Sequence, residues 1–244
     1  MRVDEHVAYL EADGQRLAEA AAWTGWDAPV PGTDWTVREL VTHVGGVHRW
    51  AADVVRTGAG SGDTDAGRAV GQGPPDVELL DWFRAGHGEL VAALRAVPSD
   101  LDCFAFLPAP SPVAFWARRQ AHETAVHRAD AQGAAGIAPG FDVGFAQDGI
   151  DELVRGFARR RSNAIATEAT LALRPTDGGA SWLLTFGGEH IDAIETPDVK
   201  RADAAVSGSS SDLYLWLWNR PSPVEVSGDG SVAALWRNVR VRWS

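Results

Sequence analysis

From Met1 to about Ser162 the apolar residues recur every three or four positions; beyond Ala164 they alternate with polar ones. In VDEHVAYLEADGQRLAEAAAWTGW, the positions Val3, Val7, Leu10, Leu17 and Ala21 are spaced by three, four and seven, the period of an amphipathic helix. A loop carrying Pro29, Pro31, Gly32 and Thr33 follows. A second helix is predicted from Asp34 or Thr36 to Gly58, because TVRE has the form of a capping box in which Thr36 caps backbone donors and Glu39 reaches back. The segment GAGSGDTDAGRAVGQGPP has almost no apolar content and is predicted to be a mobile loop, either a lid or slack, long for the interior of a compact domain. A third helix is expected over about Pro75 to Val97, with Leu79, Leu80, Phe83, Leu90, Val91 and Leu94 on its apolar face. A fourth is expected over Val113 to Gln132, and a fifth over FDVGFAQDGIDELVRGFARRRS.

In the last third, ATLALRP, SWLLTF, HIDAIE, ADAAVSG and VEVSG read as short strands separated by Gly- and Pro-containing turns. SSSDLYLWLWNR, with its serine and aspartate cap, and DGSVAALWRNV read as helices. Helices first and a mixed tail second predict two domains, 1–164 helical and 165–244 a small α+β domain with a short mixed sheet. No internal repeat is visible.

Composition narrows the classes. Apolar residues make up 45% and charged residues 23%, which excludes wholesale disorder. A formal net charge of -11 leaves no broad cationic surface for a phosphate backbone, so nucleic acid is not an expected partner. The N-terminus carries charges throughout, with no apolar run before a cleavage site, and no span reaches the roughly 20 apolar residues a membrane helix requires. The expected location is the cytoplasm. The single Cys103 excludes an internal disulfide and sits among apolar neighbours as a small buried hydrophobe rather than a nucleophile. Only Lys200 among the basic residues is lysine; the bias toward Arg, Ala, Gly and Trp points to a high-GC genome.

The chemistry concentrates in AHETAVHRAD, residues 121–130. On a helix, Glu123 and His127 are about 400° apart and share a face, while His122 lies about 100° from Glu123. A carboxylate and an imidazole so placed form a half-site for a divalent ion of the zinc or nickel type. The second helix offers a third ligand, His43 or His48, which are about 140° apart and so cannot both face one point. His43 lies on or beside the stripe of Leu40, Val41, Val44 and Val47 and is the choice; His48, next to Arg49, is the more exposed. The residues alone leave a second reading open, a surface ion pair on one helix and a core histidine on the other. Asp130 is either a carboxylate orienting His127 or a surface charge. His122 is expected to make a surface or interhelical hydrogen bond. The tryptophans 35, 50, 116, 182, 216, 218, 236 and 243 are expected to pack in the core and at the domain interface rather than to form a stacking platform.

The pattern DWTVRELVTHVGGVHRWAADVV, followed by RRQAHETAVHRADAQ, resembles the mycothiol-dependent maleylpyruvate isomerase family of actinobacteria, and DAAVSGSSSDLYLWLWNR with VEVSGDG resembles its C-terminal part. The resemblance implies a DinB-like up-down four-helix bundle followed by a small α+β domain similar to sterol carrier proteins. It implies His43, Glu123 and His127 as metal ligands, the trio that helix geometry selects, and mycothiol as thiol co-substrate in the open position. Where DinB-like relatives often carry a second histidine, this chain has Glu123, which points to the mycothiol-dependent branch. The thiolate would add to a cis double bond, the single bond so formed would rotate, and elimination would give the trans isomer; other members transfer the thiol to an electrophile. Substrate carboxylates need cations, and Arg118, Arg119, Arg128, Arg220, Arg237, Arg240 and Arg242 are available, most of them expected on the solvated surface. The family's substrate-gripping arginine lies in the C-terminal domain, and Arg237 is chosen as that catalytic residue. The expected partner is a small, carboxylate-bearing molecule, with the protein a monomer or homodimer. Two rival classes are a non-catalytic metal- or lipid-binding protein and a regulatory partner protein on the same scaffold.

Overall fold

The computed structural model describes residues 1–60, 63–98 and 100–241; Arg242 and Trp243 lie outside the described residues. The chain forms two compact units, Met1–Pro139 and Gly140–Ser244. The change of hydrophobic period predicts this boundary at 164/165. It falls earlier because α6 (Val143–Asp151) packs on elements of the second unit, where Gln147 donates to the Gly178 carbonyl and to Ser210. Asn163 is likewise held there, through paired hydrogen bonds with the backbone of Arg240.

The first unit is a four-helix bundle of α1 (Val3–Thr24), α2 (Val37–Thr57), α4 (Asp76–Ala96) and α5 (Pro112–Ala134), with the one-turn α3 (Asp65–Arg68) between α2 and α4. The expected capping box opens α2: Thr36 N–H donates to Glu39 Oε2 at 2.7 Å and Glu39 N–H to Thr36 Oγ1 at 3.3 Å. Gly58, at φ 65°, ends it in the left-handed conformation. Ser111 caps α5 by accepting from Ala114 N–H, with Pro112 in the first turn, where a missing N–H costs nothing. Leu10, Leu17, Val41, Val44, Phe83 and Leu90 are buried along the facing stripes.

Helix directions are not strictly alternating. His6 lies by His122 and Asp13 by Arg128, so α1 and α5 run parallel. Gly45 lies by Trp82 and His48 by His87, so α2 and α4 also run parallel. His43 by His127 and Trp50 by Trp116 make α2 and α5 antiparallel. The order is up, down, down, up, which corrects the simple up-down expectation. It also accounts for the long Gly-rich connection: the chain must return along α2 before α4 can start, and it does so with Val70 against Gly46 and Gly73 against Thr42.

Every residue of α5 from Arg119 to Ala131 is buried. The helix has no outward face, and its polar residues must therefore find partners inside.

In the second unit a five-stranded sheet has the order β3-β2-β1-β4-β5 (Asp192–Thr196, Ser181–Phe186, Ala169–Pro175, Ala204–Gly208, Glu225–Gly228). Among the described residues only β1 and β4 pair in parallel, in the register Leu171↔Ala204 to Pro175↔Gly208. The segment expected as one fifth helix is α6 followed by a π-helical turn, Glu152–Phe157, and a 3-10 turn, Arg161–Asn163. Helix α7 (Ser210–Leu217) is capped by Ser209, and α8 (Gly230–Ala234) runs into the 3-10 turn Leu235–Asn238. Among the described residues no helix is long and apolar enough to cross a membrane.

Candidate metal centre

The antiparallel crossing of α2 and α5 brings His43, Glu123 and His127 together, with one ligand atom of each within 4.8 Å of the others. His43 Nε2 lies 3.4 Å and His127 Nε2 3.3 Å from the same oxygen, Glu123 Oε1. Both distances are long for hydrogen bonds to a carboxylate. A tetrahedral ion with nitrogen and oxygen ligands at about 2.0–2.2 Å separates those ligands by roughly 3.4 Å, the edge of the tetrahedron. Helix geometry provides the pair on α5, since residues i and i+4 face one way. His43 reaches across from α2 with its side chain 23% exposed, whereas the Glu123 and His127 side chains are below 10%.

Glu123 and His127 each have a supporting partner. Asp130 Oδ2 lies 3.0 Å from His127 Nδ1, which leaves Nε2 facing Glu123. Arg119 Nη2 donates to Glu123 Oε2 at 3.1 Å. Burial alone would raise the Glu123 carboxyl, but hydrogen bonds from His127 and His43 together with the charges of His127 and Arg119 outweigh it and hold the group well below the usual carboxylate range. For His127 burial pulls the other way, and the Asp130 and Glu123 carboxylates overcome it, raising the imidazole to about 9. The seat between the two carboxylates thus takes positive charge, whether as a proton or as a cation.

Trp35 closes one side. Its ring lies 4.8 Å from that of His43 and 5.7 Å from that of His127, stacked at 29° on the latter. The loop carrying it is held by the Pro29↔Thr36 bridge and by Val30 N–H donating to the Trp35 carbonyl at 2.8 Å. Trp35 is half-buried and packs against the bundle core as expected, and its ring also faces the two imidazoles.

Other expectations are corrected. His48 is not exposed: it is fully buried, with Nε2 2.8 Å from Thr124 Oγ1 and its ring 5.2 Å from that of His87. Burial drives the His48 imidazole well below its ordinary value. Arg119 and Arg128 are not surface groups either; Arg128 meets the buried Asp13 at 3.2 Å. Of the two alternatives for His122 the surface one is excluded: it is buried, its ring 6.0 Å edge-on from that of His6 on α1. Cys103 is buried, with its thiol raised by burial, as a packing residue should be. In the second unit Arg237 is exposed on the 3-10 turn Leu235–Asn238, with no ion-pair partner among the described residues.

Comparisons with known proteins bear on the whole chain. Residues 7–132 match the mycothiol maleylpyruvate isomerase N-terminal domain, and residues 145–235 match the MDMPI C-terminal domain. A crystal structure of the mycothiol-dependent maleylpyruvate isomerase superposes with a TM-score of 0.67 at 15% identity, over 93% of each chain. A histidine-to-alanine mutant of that isomerase gives 0.65 at 14% identity, also over 93% of each chain. At these identities the superpositions establish the fold alone. No curated protein matches the sequence significantly. The two domain matches together span most of the chain in the family's order, and the chain belongs to the mycothiol maleylpyruvate isomerase family.

Proposed function

We propose that the protein is a metal-dependent, mycothiol-using isomerase or thiol transferase whose ion is held by His43 Nε2, Glu123 Oε1 and His127 Nε2. The observation that carries this reading is the pair of 3.3–3.4 Å separations converging on one carboxylate oxygen, with one candidate ligand atom of each residue within 4.8 Å of the other two. Zinc or nickel suits two imidazoles and a carboxylate. Three protein ligands leave a further position open, the pattern of a catalytic site. A divalent ion there supplies the means to deprotonate a coordinated thiol at neutral pH, which a buried Cys103 does not.

The chain's own residues do the rest. Asp130 keeps the His127 Nε2 lone pair turned toward the site, Glu123 reduces the ion's charge, and Trp35 excludes water from the imidazole faces. The thiol sulfur adds to an electrophilic carbon of a small molecule, either to be eliminated after rotation about the new single bond or to remain as the transferred group. Arg237 is assigned here to a substrate carboxylate, supported by its exposed guanidinium and by the family resemblance.

Elemental analysis of the purified protein tests the proposal. About one equivalent of zinc or nickel is expected, lost in His43→Ala and in Glu123→Ala, and mycothiol is expected to raise the thermal midpoint only when the ion is bound. Folded protein that takes up neither metal would sink the proposal and favour a non-catalytic binding module.

A further inference from the structure

On α5 the residues Arg119, Glu123, His127 and Asp130 follow one another at steps of four, four and three, and none is more than 6% exposed. They form a single buried stripe in which basic and acidic side chains alternate. Within it the two oxygens of Glu123 are not equivalent. Oε1 faces His43 and His127, while Oε2 accepts from Arg119 Nη2 at 3.1 Å. A carboxylate bound to a divalent cation can engage through one oxygen or both. Which mode occurs depends on what else holds the second oxygen.

We propose that Arg119 is the positioning residue of the centre: it engages Glu123 Oε2 so that an ion is ligated by Oε1 alone, leaving a fourth position for an anionic ligand. The inference rests on the metal reading given above. A guanidinium in the buried stripe also sets the charge of the site. With Glu123 and Asp130 ionised and the imidazoles neutral, a divalent ion beside Arg119 leaves one positive charge in excess, which a thiolate neutralises and an uncharged amine does not. Lysine, a point charge with a flexible stem, would hold the oxygen less rigidly but would preserve both the donor and the charge.

Cobalt(II) titration of the full chain reads coordination number and affinity together. Wild-type protein is expected to give the intense visible band of four-coordinate cobalt. Arg119→Met, which removes the donor, is expected to give the weaker band of a higher-coordinate ion and an affinity about 10–100-fold lower. Arg119→Lys is expected to restore the four-coordinate band. An Arg119→Met protein with an unchanged band and affinity would overturn the inference, as would equal losses in the Met and Lys variants. Wild-type protein that binds no cobalt would instead bring down the metal reading itself. Should Arg119→Met fail to fold, X-ray absorption on zinc-loaded wild-type protein decides: one short Zn–O bond from a carboxylate supports the inference, and two equal ones overturn it.

Discussion

Asp130 stands three residues beyond His127, its Oδ2 3.0 Å from the imidazole Nδ1, with no more than 4% of its surface exposed. Its carboxylate fixes which nitrogen of His127 looks toward Glu123. Asp130→Ala is expected to leave the helix intact and to weaken zinc binding about 10–100-fold, measured by competition with a chromophoric chelator; unchanged affinity would show that ring packing alone orients His127. At this scale the sequence was informative where periodicity applies. Glu123, His127 and the inward stripe of α2 that carries His43 follow from residue spacing alone. Arg119 was visible four residues before Glu123, yet no periodic pattern revealed that α5 lacks an outer face, and the guanidinium was assigned to solvent or substrate. His48 was misplaced for a related reason: α4 runs beside α2 and covers it. Trp35 left no signal, because loop hydrogen bonds rather than helical spacing hold it against the imidazoles.

At the level of elements, glycines set how closely the helices approach. A Cβ on Gly14 would lie 2.2 Å from His87 Cε1, and one on Gly88 would meet nothing within 4 Å. His87 cannot readily retreat, since it is buried between the Glu11 carbonyl and His48. Helix propensity favours alanine over glycine by about 1 kcal/mol at both sites. The two substitutions should nevertheless differ in sign: Gly14→Ala is expected to destabilise by about 1–3 kcal/mol through overpacking, and Gly88→Ala to stabilise by about 0.5–1 kcal/mol. Urea denaturation midpoints would check both. Helix extents were legible to within a few residues, and the Thr36–Glu39 cap was read directly from its spacing. The direction of α4 was not, because a Gly-rich connection is compatible with either a lid or a crossover until the packing of Gly46 and Gly73 is known. Helical period identifies α6 but not the unit it joins, since periodicity reports what a segment is and not what it packs on.

For the molecule as a whole, the buried pair His48 and His87 makes stability sensitive to acid. Burial lowers the imidazole of each below its ordinary value near 6.5, for His48 with further depression from the His87 charge. The unfolded chain therefore binds protons that the native one refuses, so stability from this source is complete above about pH 6.5 and declines below it. The expected slope approaches roughly 1.4 kcal/mol per pH unit for each histidine. Denaturation of chelator-treated protein between pH 7 and 5.5, above the carboxylate range, should show the decline, and His48→Phe should flatten it; an equal slope in the variant would place the acid sensitivity elsewhere. His43 and Glu123 are 80 residues apart, so an ion grasping both acts as a clasp across most of the bundle. To come undone, the helices must either surrender the ion or drag it into a denatured ring whose freedom is curtailed throughout. Loading the centre should accordingly lengthen the lifetime of the folded bundle as well as equip it for chemistry.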